Sequence, residues 1–396
     1  MNTIAAEKSA AAAPSRAEHQ AQMSAYTKAG EARANKIGNK GPVRFDADGK
    51  LHPDIVAAYW KHGFYIFEGV VSPDEVAELQ KDASDMLERA PVHPGAMVDA
   101  KGRPALGRDW PRDPYNFIKP LSDPWGGTKL LNGRHPTKMT EAQADADAPE
   151  HVVFLMWGMC RGMPSGLRVY GHPHLLTIAE AINGPDFVPY NDATFVKQPG
   201  VGGSVAWHQD GTTHWGKPDW DEGSHGFNFQ VQLYPTTSAN CLWVVPGSHK
   251  LGRVDIKQKI ADNGGDERLP DAVPLICGPG DVTIVNRQML HGSFANSSPD
   301  IRISVTIGFH RRRSVLGQTS TMVMPGDAPV TAVYDEKRIF ERSAVIQVAI
   351  DARAQKYPDE QRYTYQPFTG REDEFRFTDE NWERWIKDYT TKDLNI

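Results

Sequence analysis

Cysteine is scarce: the 396 residues hold three, Cys160, Cys241 and Cys277, odd in number and far apart. That excludes a disulfide framework, points to a reducing, cytoplasmic compartment, and leaves the three as buried thiols, since zinc sites show paired spacing. Long apolar runs are also missing; nothing approaches the roughly 20 residues a membrane helix needs, so no membrane partner is expected. There is no surplus of positive charge, because 44 Lys and Arg face 50 Asp and Glu for a net charge of -6. Nucleic acid is therefore not an expected partner. The amino terminus has almost no large apolar residues, and with Glu7 and Glu18 it fits neither a secretory signal nor a transit peptide. Residues 1–42 are read as a flexible or marginally helical tail.

What is present organises around Trp207-His208-Gln209-Asp210. Side chains two apart on a strand share a face, so His208 and Asp210 can reach one ion. The best third ligand is His291, 83 residues on, after an apolar run that reads as another strand. Two imidazoles and one carboxylate on one side of a metal, the other side open, suit non-haem Fe(II) and oxygen chemistry. Downstream, Ile301 to Ile307 alternates with period two after the turn-rich Asn296-Ser297-Ser298-Pro299-Asp300. We read His291 to Ile307 as a hairpin that sets Ser293 opposite Arg302, where guanidinium and hydroxyl would clamp a carboxylate.

These residues resemble the phytanoyl-CoA dioxygenase family of Fe(II)- and 2-oxoglutarate-dependent oxygenases. The shared pattern is His208-Gln209-Asp210, Pro246-Gly247-Ser248-His249, Gly280-Asp281, His291, and Arg302 eleven residues after it. Asn240-Cys241 departs from the usual Asn-Gly and implies a slightly different turn. The resemblance covers about residues 51–90 and 173–310. It implies a mainly β fold with flanking helices around a double-stranded β-helix, a jelly-roll, cupin-like core. It also implies a metal bound by His208, Asp210 and His291, and 2-oxoglutarate and O2 as co-substrates, with Arg302 and Ser293 holding the distal carboxylate. Halogenases of this architecture lack the carboxylate that Asp210 supplies, so hydroxylation is the expected outcome, with desaturation, epimerisation and ring closure left open. A cupin-like metal enzyme, or a ligand-binding pseudo-enzyme without 2-oxoglutarate, is the rival.

Residues 43–396 are read as one domain, with a loop-rich insertion at 91–171 and a C-terminal helical extension at 314–396. In the last strand the polar set, Arg302, Ser304, Thr306, Gly308 and His310, should line the interior, and the apolar set should meet helices. By the same logic Gln230 or Gln232 contacts the cofactor or is satisfied by neighbouring backbone. Lys197 is either a cofactor contact or a solvated strand-end lysine. Trp207, Trp215, Tyr115 and Phe117 are candidate substrate contacts for a small apolar or aromatic metabolite; pinning loops to the body is the alternative. His214 is a tempting fourth ligand that would block the open sites. The C-terminal helices pack on the barrel or on a second subunit, so a homodimer stays open.

Overall fold

A computed structural model describes residues 12–211, 213–322 and 330–392. The strands in chain order are β1 (Lys40–Pro42), β2 (Phe64–Glu68), β3 (Tyr115–Ile118), β4 (Val152–Trp157), β5 (Val188–Lys197), β6 (Val205–His208), β7 (Phe227–Gln232), β8 (Trp243–Val244), β9 (Val273–Pro274), β10 (Val282–Asn286), β11 (His291–Ser293), β12 (Arg302–His310), β13 (Thr319–Met322) and β14 (Val330–Val333). Eight form a large sheet in the order β1-β2-β10-β7-β12-β5-β4-β3, and four form a small one, β6-β11-β8-β9. Apart from the parallel edge pair β1–β2, the pairings are antiparallel. The two sheets face one another across a cavity as a double-stranded β-helix, because residues of both line it.

The helices are α1 (Arg16–Ile37), α2 (Pro53–His62), α3 (Pro73–Glu88), α4 (Met159–Gly162), α5 (Pro164–Tyr170), α6 (Pro173–Asn183), α7 (Ile256–Asp262), α8 (Arg312–Val315) and α9 (Glu336–Lys356). Ser72 caps α3 by accepting from the Glu75 N–H at 3.3 Å, with Pro73 in the first turn. The apolar set of β12, Ile303, Val305, Ile307 and Phe309, joins Val76, Leu79, Leu176, Val345 and Val348 in the largest core cluster. The outer face of the large sheet is thus buried under α3, α6 and α9, which leaves its inner face for polar groups. The C-terminal segment packs here too, through Phe368, Phe375 and Trp385. None of the described helices is long and apolar enough to cross a membrane.

Three expectations are corrected. First, His291 to Ile307 is not a hairpin: β11 pairs with β6 and β8 in the small sheet, whereas β12 pairs with β5 and β7 in the large one. The connecting turn carries the chain between sheets, anchored by the Asn296 side chain on the carbonyls of Lys197, Gln198 and Asp300. Second, the insertion at 91–171 is partly scaffold, since β3 and β4 complete the large sheet and α4 and α5 contribute Met159, Leu167 and Tyr170 to the core.

Third, the tail expected at 1–42 contains a 22-residue helix with a complete capping box, Ser15 with Glu18, and a left-handed Gly38 at its end. Residues 1–11 of that expected tail lie outside the described residues. The helix has no apolar stripe to betray it. It docks instead through single anchors: Tyr26 stacks on Trp243 with ring centroids 4.6 Å apart, and Arg33 donates to the Ala272 carbonyl. Gly30 allows the close approach, because a Cβ there would come within 2.4 Å of the buried Trp243 ring. Gly30→Ala should therefore lower stability by about 1–3 kcal/mol by overpacking. An undocked helix would instead gain about 1 kcal/mol from the same change. The denaturant midpoint of the variant decides the sign.

Candidate metal centre and co-substrate cavity

Cross-strand pairing builds the centre. His291 of β11 sits directly opposite His208 of β6, with ring centroids 4.0 Å apart. A bulge in β6 puts Val205 and His208 on the cavity side, whereas Ala206 and Trp207 go into a second core cluster. Asp210 lies just beyond the strand, its N–H bonded to the Arg287 carbonyl at 2.7 Å. Gly211 then turns the chain away at φ +89°, where a Cβ would meet the His225 ring at 2.4 Å.

The ligand atoms converge. One atom each from His208, Asp210 and His291 lies within 4.8 Å of the others. His208 Nδ1 bonds the Ala206 carbonyl at 2.9 Å and His291 Nδ1 the Met289 carbonyl at 2.7 Å. A ring nitrogen facing a carbonyl must carry the proton, so both Nε2 lone pairs point inward, 3.6 and 3.8 Å from the Asp210 oxygens. Burial, with other imidazoles or cations beside them, pushes both histidines below their ordinary pKa and keeps them neutral, as metal ligands must be. For Asp210 burial acts the other way, but the Arg134 and Arg287 guanidinium groups outweigh it and hold the carboxylate below its usual range. Its Oδ1 receives Arg134 at 2.9 Å and its Oδ2 receives Asn228 at 2.9 Å.

At the other end of the same cavity, of about 90 Å³, stands Arg302. It is buried and forms no ion pair among the described residues. Its neighbours are neutral: Gln230 Oε1 at 2.8 Å, the Asn240 carbonyl at 3.3 Å and Ser304 Oγ at 3.4 Å, and its Nε has no partner. Burial accordingly lowers its pKa from the usual arginine value. A desolvated cation without an anion is costly, by several kcal/mol, so the site fits the carboxylate of a ligand. Lys197 faces Arg302 across the β5–β12 pair and is also buried, donating to the Phe294 carbonyl at 2.5 Å.

A model of the family Phytanoyl-CoA dioxygenase (PhyH) matches residues 59–304. The chain belongs to that family. Its dioxygenases use Fe(II) and 2-oxoglutarate, and the His208, Asp210 and His291 group fits the iron. Phytanoyl-CoA dioxygenase 1 of Oryza sativa subsp. japonica is 36% identical over 119 residues, which are 28% of this chain and 40% of that protein. The chain thus matches well under half of the rice relative. Phytanoyl-CoA dioxygenase of Arabidopsis thaliana is 24% identical over 64% of this chain and 87% of its own. Among solved structures, EctD from S. alaskensis with 2-oxoglutarate and 5-hydroxyectoine aligns with a TM-score of 0.46 at 20% identity, covering 70% of this chain and 82% of its own.

The remaining candidates divide. Ser293 and Gln230 line the inner cavity, Ser293 from the small sheet and Gln230 as a brace for Arg302. Gln232 is buried outside it, reaching the Gln230 carbonyl at 3.5 Å. The solvated alternative for Lys197 is excluded by its burial. Trp207 is turned away from the inner cavity and donates to the Glu267 carbonyl. Tyr115 and Phe117 do not line the cavity either; Tyr115 donates to the Met86 carbonyl at 2.7 Å, and Phe117 packs on the main core. Trp215 lines an outer groove. His214 is engaged by Thr213 and the Ser314 carbonyl, away from the ligand group.

Sequence reasoning missed Arg134, Arg287 and His135, whose ring lies 4.2 Å from that of His208 with both nitrogens unpartnered. Asn228 belonged to the polar face of an alternating strand and was findable by that signal. Tyr115→Phe should cost about 0.5–1.5 kcal/mol of stability, the worth of one hydrogen bond. 2-Oxoglutarate affinity, measured by calorimetry on the same variant, should not change.

Proposed function

We propose that this protein is an Fe(II)- and 2-oxoglutarate-dependent dioxygenase that hydroxylates an unactivated carbon of a small metabolite. One juxtaposition carries the reading: a neutral His pair with an ionised Asp at one end of a cavity, and an orphaned buried cation at the other. In this role His208, Asp210 and His291 hold the metal on one face. Arg302 takes the far carboxylate of 2-oxoglutarate, with Ser293 and Lys197 beside it. Bound together, Fe(II), 2-oxoglutarate and O2 supply the oxidising power to exchange a C–H bond for C–OH. The chain's own part is placement and exclusion of water: Trp125, Leu155, Trp157, Phe195 and Leu242 wall the cavity with apolar surface. Asp210 fills the position that a halide would need, which favours hydroxylation.

The tests are direct. Arg302→Ala should weaken 2-oxoglutarate binding by about two orders of magnitude, the loss of a charge-assisted pair, while iron content stays near that of the wild type. Unchanged co-substrate affinity would remove Arg302 from this role. Asp210→Ala should lose most bound iron by metal analysis and with it succinate release in the presence of Fe(II), ascorbate and 2-oxoglutarate. A wild-type chain that binds iron but neither binds nor decarboxylates 2-oxoglutarate would be a cupin-like protein of another kind.

A further inference from the structure

Outside the inner cavity lies an open groove of about 660 Å³, and Arg134 lines both. The inner cavity, at about 90 Å³, is much the smaller of the two. The groove falls in the range of roughly 300–1,000 Å³ common for small-molecule sites. Its walls carry Arg134, Arg253 and Lys257 against one carboxylate, Asp255, in a chain whose net charge is -6. Arg134 is spent on Asp210 at 2.9 Å, and Asp255 caps α7 by accepting from the Gln258 N–H at 3.0 Å. The side chains of Arg253 and Lys257, both exposed on the groove, make no hydrogen bond or ion pair among the described residues.

Arg253 is also held in register with the metal centre. Gln209, between two of the ligand residues, donates to the Gly252 carbonyl at 2.9 Å and accepts from the Val254 N–H at 2.8 Å. Both peptide groups flanking Arg253 are thereby tied to the ligand segment. Ile256, buried in the second core cluster, anchors α7 and so the neighbouring Lys257. Trp215 offers a ring on the same groove.

We propose that the prime substrate carries an anionic group, a carboxylate or a phosphate ester, which docks on Arg253 and Lys257 while its reacting carbon enters the apolar inner cavity. The inference rests on the dioxygenase reading for the word substrate, but the anion site itself does not. Two cations carried on a tethered backbone and free of other partners among the described residues bind an anion through charge-assisted hydrogen bonds, and Arg253 adds a planar fork that suits either oxyanion.

The test is an anaerobic fluorescence titration of the wild-type chain loaded with Fe(II) and 2-oxoglutarate, with inorganic pyrophosphate in one arm and citrate in the other. The same titrations are run without metal or co-substrate. Saturable binding in either arm is expected, weakened about tenfold or more by Arg253→Ala with Lys257→Ala. Arg253→Lys should retain most of the affinity, and Lys61→Ala, on α2, should retain all of it. Pyrophosphate alone would assign a phosphate ester, citrate alone a carboxylate. Absence of binding in both arms, or affinity kept by the double variant, overturns the proposal. If wild-type enzyme releases no succinate yet the double variant loses anion binding, the dioxygenase reading fails and the anion site stands.

Discussion

The antiparallel contact between β6 and β11 governs the chemistry of this molecule. It sets two imidazoles from chain positions 83 residues apart side by side, tilted with ring centroids 4.0 Å apart, and the backbone carbonyls of the same segments choose their tautomers. The bulge in β6 matters as much as the pairing. By giving Ala206 and Trp207 to a hydrophobic cluster it holds the strand down on one side and turns His208 to the other.

Charge is then separated across a small buried space. Asp210 is surrounded by Arg134, Arg287 and Asn228, so its charge is stabilised before any ion binds. At the opposite end Arg302 and Lys197 have only neutral acceptors. Burial leaves Arg302 uncompensated and pushes Lys197 toward its neutral form, a penalty that a ligand carboxylate would relieve under the proposed function. Ser293 and Arg302 belong to different sheets, and each sheet contributes one of them to the cavity between them, which is where the proposed clamp would form.

Gln209 links this inner site to the groove outside. Residues between metal ligands usually face away from the ion, and here that face is used to hold the 252–254 segment through both amide functions. Two hydrogen bonds thus tie the backbone that carries Arg253 to the segment that carries His208 and Asp210.

By itself the sequence determined everything that depends on local spacing. The His208-x-Asp210 pair, the eleven residues from His291 to Arg302, the alternation of β12 and the Ser72 cap are short-range patterns, and each already names a face or an end. Only the tertiary structure decided what depends on contacts between distant segments. It put β11 and β12 in different sheets, brought Arg134 from a patternless stretch onto Asp210, turned Trp207 and Tyr115 into the body, and docked α1 through Tyr26, Gly30 and Arg33. The physical reason is that strand pairing and single-anchor docking leave no periodic trace: hydrogen bonds between backbones are indifferent to side chains, and a glycine fitted to a tryptophan ring reads, in one dimension, only as a glycine.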